Sequence, residues 1–304
     1  MNKNSKILFS IVGPTGIGKT TLSIILAQHL KTEIISCDSR QFYKELNIGT
    51  AAPTPEELSL VPHHFIGNLS INQDYSVGDF EKDALGKIFE LFNTFDQLIM
   101  VGGSGLYEKA VNEGIDTFPD IDAHIRQELV VEMQEKGLSN LIDELKKNDP
   151  KYYSQVDLNN PVRVLRALEI FRGTGKPYSS FRNNLIKKRN FTSVKIGLTA
   201  SRDIIYDRIN KRVDLMMEKG LLNEVISLQS YRHKNALQTV GYKEIFEYLD
   251  GNISLEFATN EIKKNSRRYA KRQLTWYRRD NSVNWFDYCN IQEIVDFVTK
   301  KISQ

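Results

Sequence analysis

A chain of 304 residues has room for one large domain or for a domain with a sizeable insertion, and its 40% apolar and 26% charged residues are those of a core-forming globular protein. The formal charge of +3 is too small to argue from as a total, and no apolar stretch approaches bilayer length. Two distant cysteines, Cys37 and Cys289, exclude a disulfide framework or a cysteine zinc site, and the polar start from Met1 to Lys6 is no signal peptide, so a reducing cytoplasm is expected.

In chain order, Ile7-Leu8-Phe9-Ser10-Ile11-Val12 is a short apolar run ending in glycine and predicts a buried strand. Behind the glycine loop, Leu22, Ile25, Leu26 and Leu30 recur at helical spacing. Glu33-Ile34-Ile35-Ser36-Cys37 predicts the next strand, Leu98-Ile99-Met100-Val101 a third, and Lys195-Ile196-Gly197-Leu198-Thr199 a fourth. Strands alternating with helices imply an α/β fold, an open parallel sheet with ligands at the carboxyl ends of its strands.

Residues 118–192 read differently. Ile125, Leu129 and Met133, then Leu141 and Leu145, then Val162, Leu165, Leu168 and Ile170 follow helical spacing, with no strand pattern. Because a strand follows, this segment is expected to be a helical insertion between core segments 1–117 and 193–304. From Arg202 onward the pattern is again mostly helical.

Gly13-Pro14-Thr15-Gly16-Ile17-Gly18-Lys19-Thr20 satisfies G-x-x-x-x-G-K-[ST] between a strand and a helix. Such a loop curls backbone N–H groups around phosphate oxygens at a helix N-terminus, Lys19 adds positive charge, and the Thr20 hydroxyl can reach Mg²⁺. Hydrolases with this loop usually hold Mg²⁺ with an aspartate closing a later strand. Here residues 98–101 run into Gly102-Gly103-Ser104 instead. The best-placed acid is Asp38, directly after the second strand. It suits a base acting on an acceptor, a magnesium ligand, or a plain turn cap.

Between Lys263 and Arg279 stand eight lysines or arginines and no acid. Lys264, Arg267, Arg268, Lys271 and Arg272 fall on one helical face, the footprint expected for a phosphate backbone. Tyr269, Ala270, Trp276 and Tyr277 offer the packing side, and Trp276 is expected in the core. His63 and His64 are adjacent without nearby acids, so loop packing is expected of them rather than a metal site.

Several of these patterns, in order, resemble tRNA dimethylallyltransferases of the bacterial type. They are the loop at 13–20, Asp38-Ser39-Arg40-Gln41-Phe42-Tyr43, Ile48-Gly49-Thr50-Ala51, Val61-Pro62-His63-His64-Phe65 and Val101-Gly102-Gly103-Ser104-Gly105-Leu106-Tyr107. Val162-Arg163-Val164-Leu165-Arg166-Ala167-Leu168-Glu169, Thr174-Gly175-Lys176-Pro177, Val240-Gly241-Tyr242-Lys243-Glu244 and Arg267-Arg268-Tyr269-Ala270-Lys271-Arg272-Gln273-Leu274-Thr275-Trp276 continue the series. The resemblance spans nearly the whole chain. It departs at Ala52, where many members carry lysine, and at Ser104, where threonine is common; a zinc-finger extension of some eukaryotic members is absent.

The resemblance implies a P-loop NTPase-like core with a helical insertion that embraces the tRNA anticodon stem-loop, and a monomeric enzyme using Mg²⁺. It implies transfer of the dimethylallyl group of dimethylallyl diphosphate to N6 of the adenosine 3′ to the anticodon. Residues 13–20 would hold the diphosphate, Arg212 and Ser104 would stabilise its charge, and Asp38 would take the N6 proton. Asp38, Ser39, Arg40, Gln41 and Ser104, with Arg126, Val162, Arg163, Val164, Leu165 and Arg166, are implied tRNA contacts. So are Gln238, Gly241, Tyr242, Lys243, Arg268 and Lys271. A small-molecule kinase, an RNA-binding adaptor with an inactive loop, and a prenyltransferase acting on free adenine nucleotide are the competing readings.

Overall fold

The computed structural model describes residues 6–183 and 185–304, so the polar start apart from Lys6 lies outside the described residues. Two compact units emerge: one comprises the chain up to Glu113 and from Lys188 on, the other Gly114–Lys187.

The first unit begins with β1 (Ile7–Val12), buried throughout, which turns through the glycine loop into α1 (Lys19–Leu30). β2 (Ile34–Ser36), α2 (Pro55–Leu60), β3 (His63–His64), α3 (Val77–Leu91), β4 (Gln97–Val101) and α4 (Gly105–Glu113) follow. The second unit is α5 (Ala123–Lys136), α6 (Leu138–Asn148), α7 (Pro150–Tyr153) and α8 (Pro161–Thr174). The first unit then resumes with β5 (Thr192–Thr199), α9 (Arg202–Glu218), α10 (Leu221–Ser227), α11 (Tyr242–Leu249), α12 (Leu255–Tyr277), β6 (Val283–Asp287) and α13 (Ile291–Ile302).

Its six strands form one all-parallel sheet in the order β3-β2-β4-β1-β5-β6. Ile7 faces Gln97 of β4 on one side and Thr192 of β5 on the other. Successive side chains of a strand point to opposite faces. Leu8, Ile35, Leu98 and Met100 accordingly pack one core, and Phe9, Ile11, Ile34 and Ile99 the other. A sheet apolar on both faces explains the unbroken hydrophobic runs. Each such side chain contributes roughly 1.5–3 kcal/mol by leaving water.

Three features depart from the sequence reading. β3 and β6 are strands that periodicity did not predict, and β5 starts at Thr192 rather than at Lys195. The second unit runs Gly114–Lys187 rather than 118–192, and Arg189 beyond it is tied to the first unit. Its Nε donates to the Val111 carbonyl at 2.8 Å, and Nη2 reaches the Ala110 carbonyl and Glu81, each at 2.7 Å.

In the second unit, Leu129, Leu141, Leu145, Val164, Leu165 and Leu168 are buried together. Asn160 caps α8 by accepting the Arg163 N–H, and Gly175 ends it at φ 70°, a conformation glycine adopts without strain. Val162, expected on the apolar face, stands in the first turn of α8 and is 61% exposed. Arg172 bonds both Glu144 and Glu132, the latter at 2.8 Å, fastening three helices by charge. No described helix is long and apolar enough to cross a membrane.

Candidate active site

The site is built where β1, β2 and β4 end. Gly13 adopts φ 140°, and a Cβ there would lie 2.7 Å from the Leu198 carbonyl oxygen, so the turn out of β1 requires glycine. Gly16 (φ 80°) and Gly18 (φ 107°) complete the loop, which leads into α1 with Gly18 as its cap. The first turn of a helix leaves N–H groups without intrahelical acceptors, and no acid stands in this one to compete with an anion. Lys19 folds back over the loop, its Nζ donating to the carbonyls of Gly13 at 3.0 Å and Pro14 at 2.9 Å. Burial, helped by repulsion from Arg212, brings the Lys19 ammonium down to a pKa of about 8, against the pull of Asp38 and Cys37.

The facing wall follows β2 and β4. The Cys37 N–H donates to the Val101 carbonyl at 2.8 Å, which places Asp38 just beyond the sheet edge. Asp38 Oδ1 accepts the Arg40 N–H at 3.1 Å, the turn-capping geometry of an aspartate. Ser104 Oγ accepts the Ser39 N–H at 3.2 Å and lies 3.1 Å from Ser39 Oγ. Gln41 Nε2 donates to the carbonyls of Thr50 at 3.3 Å and Ala51 at 3.2 Å. Arg212, on α9, reaches the same Thr50 carbonyl at 3.3 Å, its guanidinium pKa lowered by burial although Asp38 and Glu57 oppose this. A cavity of ≈ 1120 Å³ is lined by Thr15, Lys19, Thr20, Asp38, Gln41 and Arg212 among others.

Two residues that the sequence reading did not assign a role complete this frame. Arg208 Nε donates to the Gly16 carbonyl at 2.8 Å. Gln273, buried in α12, accepts the Thr15 N–H at 2.8 Å and donates to the Gly103 carbonyl at 2.8 Å. Beside it, burial first and then Asp38 push the Tyr269 phenol up to about 12. One arginine of three in α9 and a glutamine amid cations carry no spacing signal, so only the fold reveals them.

Some implied RNA contacts are buried here, although Gly241 lines the cavity. Tyr242 is fully buried, and its hydroxyl donates to Glu224 Oε1 at 2.7 Å. Glu224 also accepts the N–H groups of Asn47, Ile48 and Gly49, so Tyr242 braces the loop that contains Ala52 rather than facing solvent. Val164 and Leu165 belong to the core of the helical unit, and Gly241 is buried with its N–H on Glu244 at 2.8 Å. Arg163, Gln238, Lys243, Arg268 and Lys271 are exposed. Arg126 and Arg166 both pair with Glu169, at 2.8 and 3.2 Å.

The basic helix is also less uniform than its sequence. Lys263 pairs with Asp214 of α9 at 2.5 Å, Lys264 with Glu261 at 2.8 Å, and Arg267 donates to Asn210 at 2.6 Å. Trp276, expected in the core, is 44% exposed and lines a hollow of ≈ 230 Å³ with Lys271, Arg272, Thr275 and Arg279. His63 and His64, expected to pack a loop away from acids, instead form β3: His64 meets Glu33 at 2.6 Å, and His63 Nδ1 lies 2.8 Å from the Val61 carbonyl. Among the described residues no group of three or more His, Cys, Asp or Glu is arranged to hold a metal ion.

A family model for IPP transferase matches residues 41–280. The chain belongs to the IPP transferase family. That match begins beyond the glycine loop and Asp38, so both are evidence independent of it. Two relatives align over nearly the whole chain. The tRNA dimethylallyltransferase of Christiangramia forsetii is 54% identical over 300 residues, 98% of this chain and 99% of that protein. The tRNA dimethylallyltransferase 1 of Bacteroides thetaiotaomicron is 50% identical over 291 residues, 96% and 94% of the two chains. Among solved structures, the full-length tRNA isopentenylpyrophosphate transferase of Bacillus halodurans aligns with a TM-score of 0.72 at 42% identity, covering 98% of this chain and 97% of that one. A eukaryotic dimethylallyltransferase acting on tRNA aligns with a TM-score of 0.78 at 26% identity, covering 98% and 77%.

Proposed function

We infer that this IPP transferase moves the dimethylallyl group of dimethylallyl diphosphate to N6 of the adenosine 3′ to the tRNA anticodon, releasing diphosphate. One observation carries the reading at the level of chemistry. A phosphate-cradling loop and a carboxylate line the same cavity, with Lys19 and Arg212 on it as well.

N6 of adenine is a weak nucleophile, and diphosphate leaves readily only when its charge is met. The α1 amides, Lys19 and Arg212 would take up the charge that develops as the carbon–oxygen bond breaks, and its electron pair departs with the diphosphate. Bound anion favours the protonated form of Lys19, offsetting the burial that lowers its pKa. As the new C–N6 bond forms, Asp38 accepts the proton that N6 gives up. Ser104 lies one position beyond Gly103 of the cavity wall, and its hydroxyl is engaged with Ser39, which lines the cavity. Thr20 lines the cavity as well, with a hydroxyl oxygen of the kind magnesium takes. Mg²⁺ bound there would supply further charge neutralisation to the leaving group.

The acceptor adenine must leave the stack to enter such a chamber, at a cost of about a few kcal/mol that is least in a single-stranded loop. Exposed Arg268 and Lys271 on α12 suit the phosphates of the stem-loop. Arg126, Arg163 and Arg166 of the helical unit are the further candidates there. The test is incubation with labelled dimethylallyl diphosphate and unmodified tRNA, which should place label in the RNA. Transfer of phosphate from ATP to a small acceptor, with no label in tRNA, overturns the reading.

A further inference from the structure

We propose that Gln273 sets the number of phosphates the glycine loop accepts, by occupying the backbone amide that a third phosphate would need. The proposal rests on the reading that residues 13–20 hold a diphosphate.

Gln273 is an uncharged residue, only 5% exposed, in a helix rich in cations. Both ends of its side chain are engaged: Oε1 takes the Thr15 N–H and Nε2 gives to the Gly103 carbonyl. The two partners fix the orientation of the amide, since an N–H requires an acceptor and a carbonyl a donor. A Cβ on Gly103 would lie 2.5 Å from Gln273 Nε2, so the strap fills room that glycine leaves.

A diphosphate is cradled by the amides at the α1 N-terminus together with Lys19. Thr15 lines the same cavity as Lys19, so a third phosphate laid beyond the diphosphate on that side runs toward the first half of the loop. Donors are scarce there. Pro14 has no N–H, and Gly13 is pressed against the backbone of Leu198. Thr15 is the next donor, and Gln273 Oε1 already stands 2.8 Å from its nitrogen, where a phosphate oxygen would have to sit. A triphosphate therefore adds charge without gaining a backbone donor, and meets a carboxamide oxygen instead.

The experiment compares inorganic pyrophosphate with tripolyphosphate, by calorimetric titration of the full-length protein and its variants. Gln273→Met keeps the packing and removes the acceptor; Gln273→Ala removes both; Gln273→Glu keeps an acceptor on Thr15. The affinity for tripolyphosphate relative to pyrophosphate should rise about tenfold in the Met and Ala variants, a change of about 1.4 kcal/mol. It should not rise in the Glu variant. An unchanged ratio in whichever of the Met and Ala variants melts as the wild type does overturns the proposal. If the wild-type protein binds neither probe, the diphosphate reading fails with it.

Discussion

In the first unit the charged groups of the site are held by the backbone; in the second unit, charged side chains are held by one another. Lys19 donates to two loop carbonyls and Arg208 to a third, while Asp38 caps its own turn. Arg126 and Arg166 instead converge on the carboxylate of Glu169, and Arg172 on those of Glu132 and Glu144. Backbone scaffolds leave side chains little freedom, as chemistry on a single bond demands. In the second unit Arg126 and Arg166 are part-exposed while their shared partner Glu169 is buried, so an arginine that turned to a phosphate would leave that carboxylate one partner fewer.

The sharpest way to break this contrast is Asp38→Ala. It should lower turnover by about 10³-fold in single-turnover prenylation while tRNA affinity stays near wild type, because only the proton acceptor is lost. Equal losses in both would make Asp38 a structural residue. Charge reversal at Arg268 and Lys271 together should do the opposite, weakening tRNA binding and reducing its salt slope by roughly two units, with the chemical step spared. A salt titration of binding reads this directly.

Acidity sharpens the comparison further. Below about pH 8 Lys19 carries its charge, and above it the ammonium is lost, so kcat/KM for dimethylallyl diphosphate should fall by about tenfold per pH unit on that limb. The sign for stability is the reverse. A lysine whose folded pKa is depressed favours the folded chain as pH rises from about 8 toward the ordinary 10.5, so Lys19 itself does not unfold the protein there. Lys19→Met should abolish the limb. The smallest expected effect is Glu169→Gln, which should cost about 1 kcal/mol in urea unfolding, since its arginine partners are part-exposed and the amide still accepts from them.

Where a residue's role is dictated by its neighbours in sequence, the sequence disclosed it. Gly13, Gly16 and Gly18 have the positive φ their loop requires, and Asp38 lies beyond β2 because a buried strand ends there. Residues whose roles arise from distant parts of the chain stayed hidden. Gln273 meets Thr15 from the far end of the sequence, and Tyr242 is buried by Gly49 and Glu224, which no periodicity brings together. β3 has two histidines and no apolar run, while β6 pairs half-exposed Asn284, Trp285 and Phe286 at the sheet edge, so neither reads as a buried strand. Trp276, grouped with Tyr269, Ala270 and Tyr277 on the packing side, instead follows the basic residues outward on α12. The helical unit was legible as helix, since Leu129, Leu141, Leu145 and Leu168 keep their spacing.

The central place of β1 has a consequence for how the chain is made. One edge of β1 waits for β4 and the other for β5, so the sheet cannot close until synthesis has passed residue 192. The helical unit between them draws on contacts close in sequence and can form while that edge is still open. Its length adds little to the closure penalty, which grows only with the logarithm of the loop. The exposed flank of β1 is then the vulnerable surface of the nascent enzyme, where a holding chaperone would matter most.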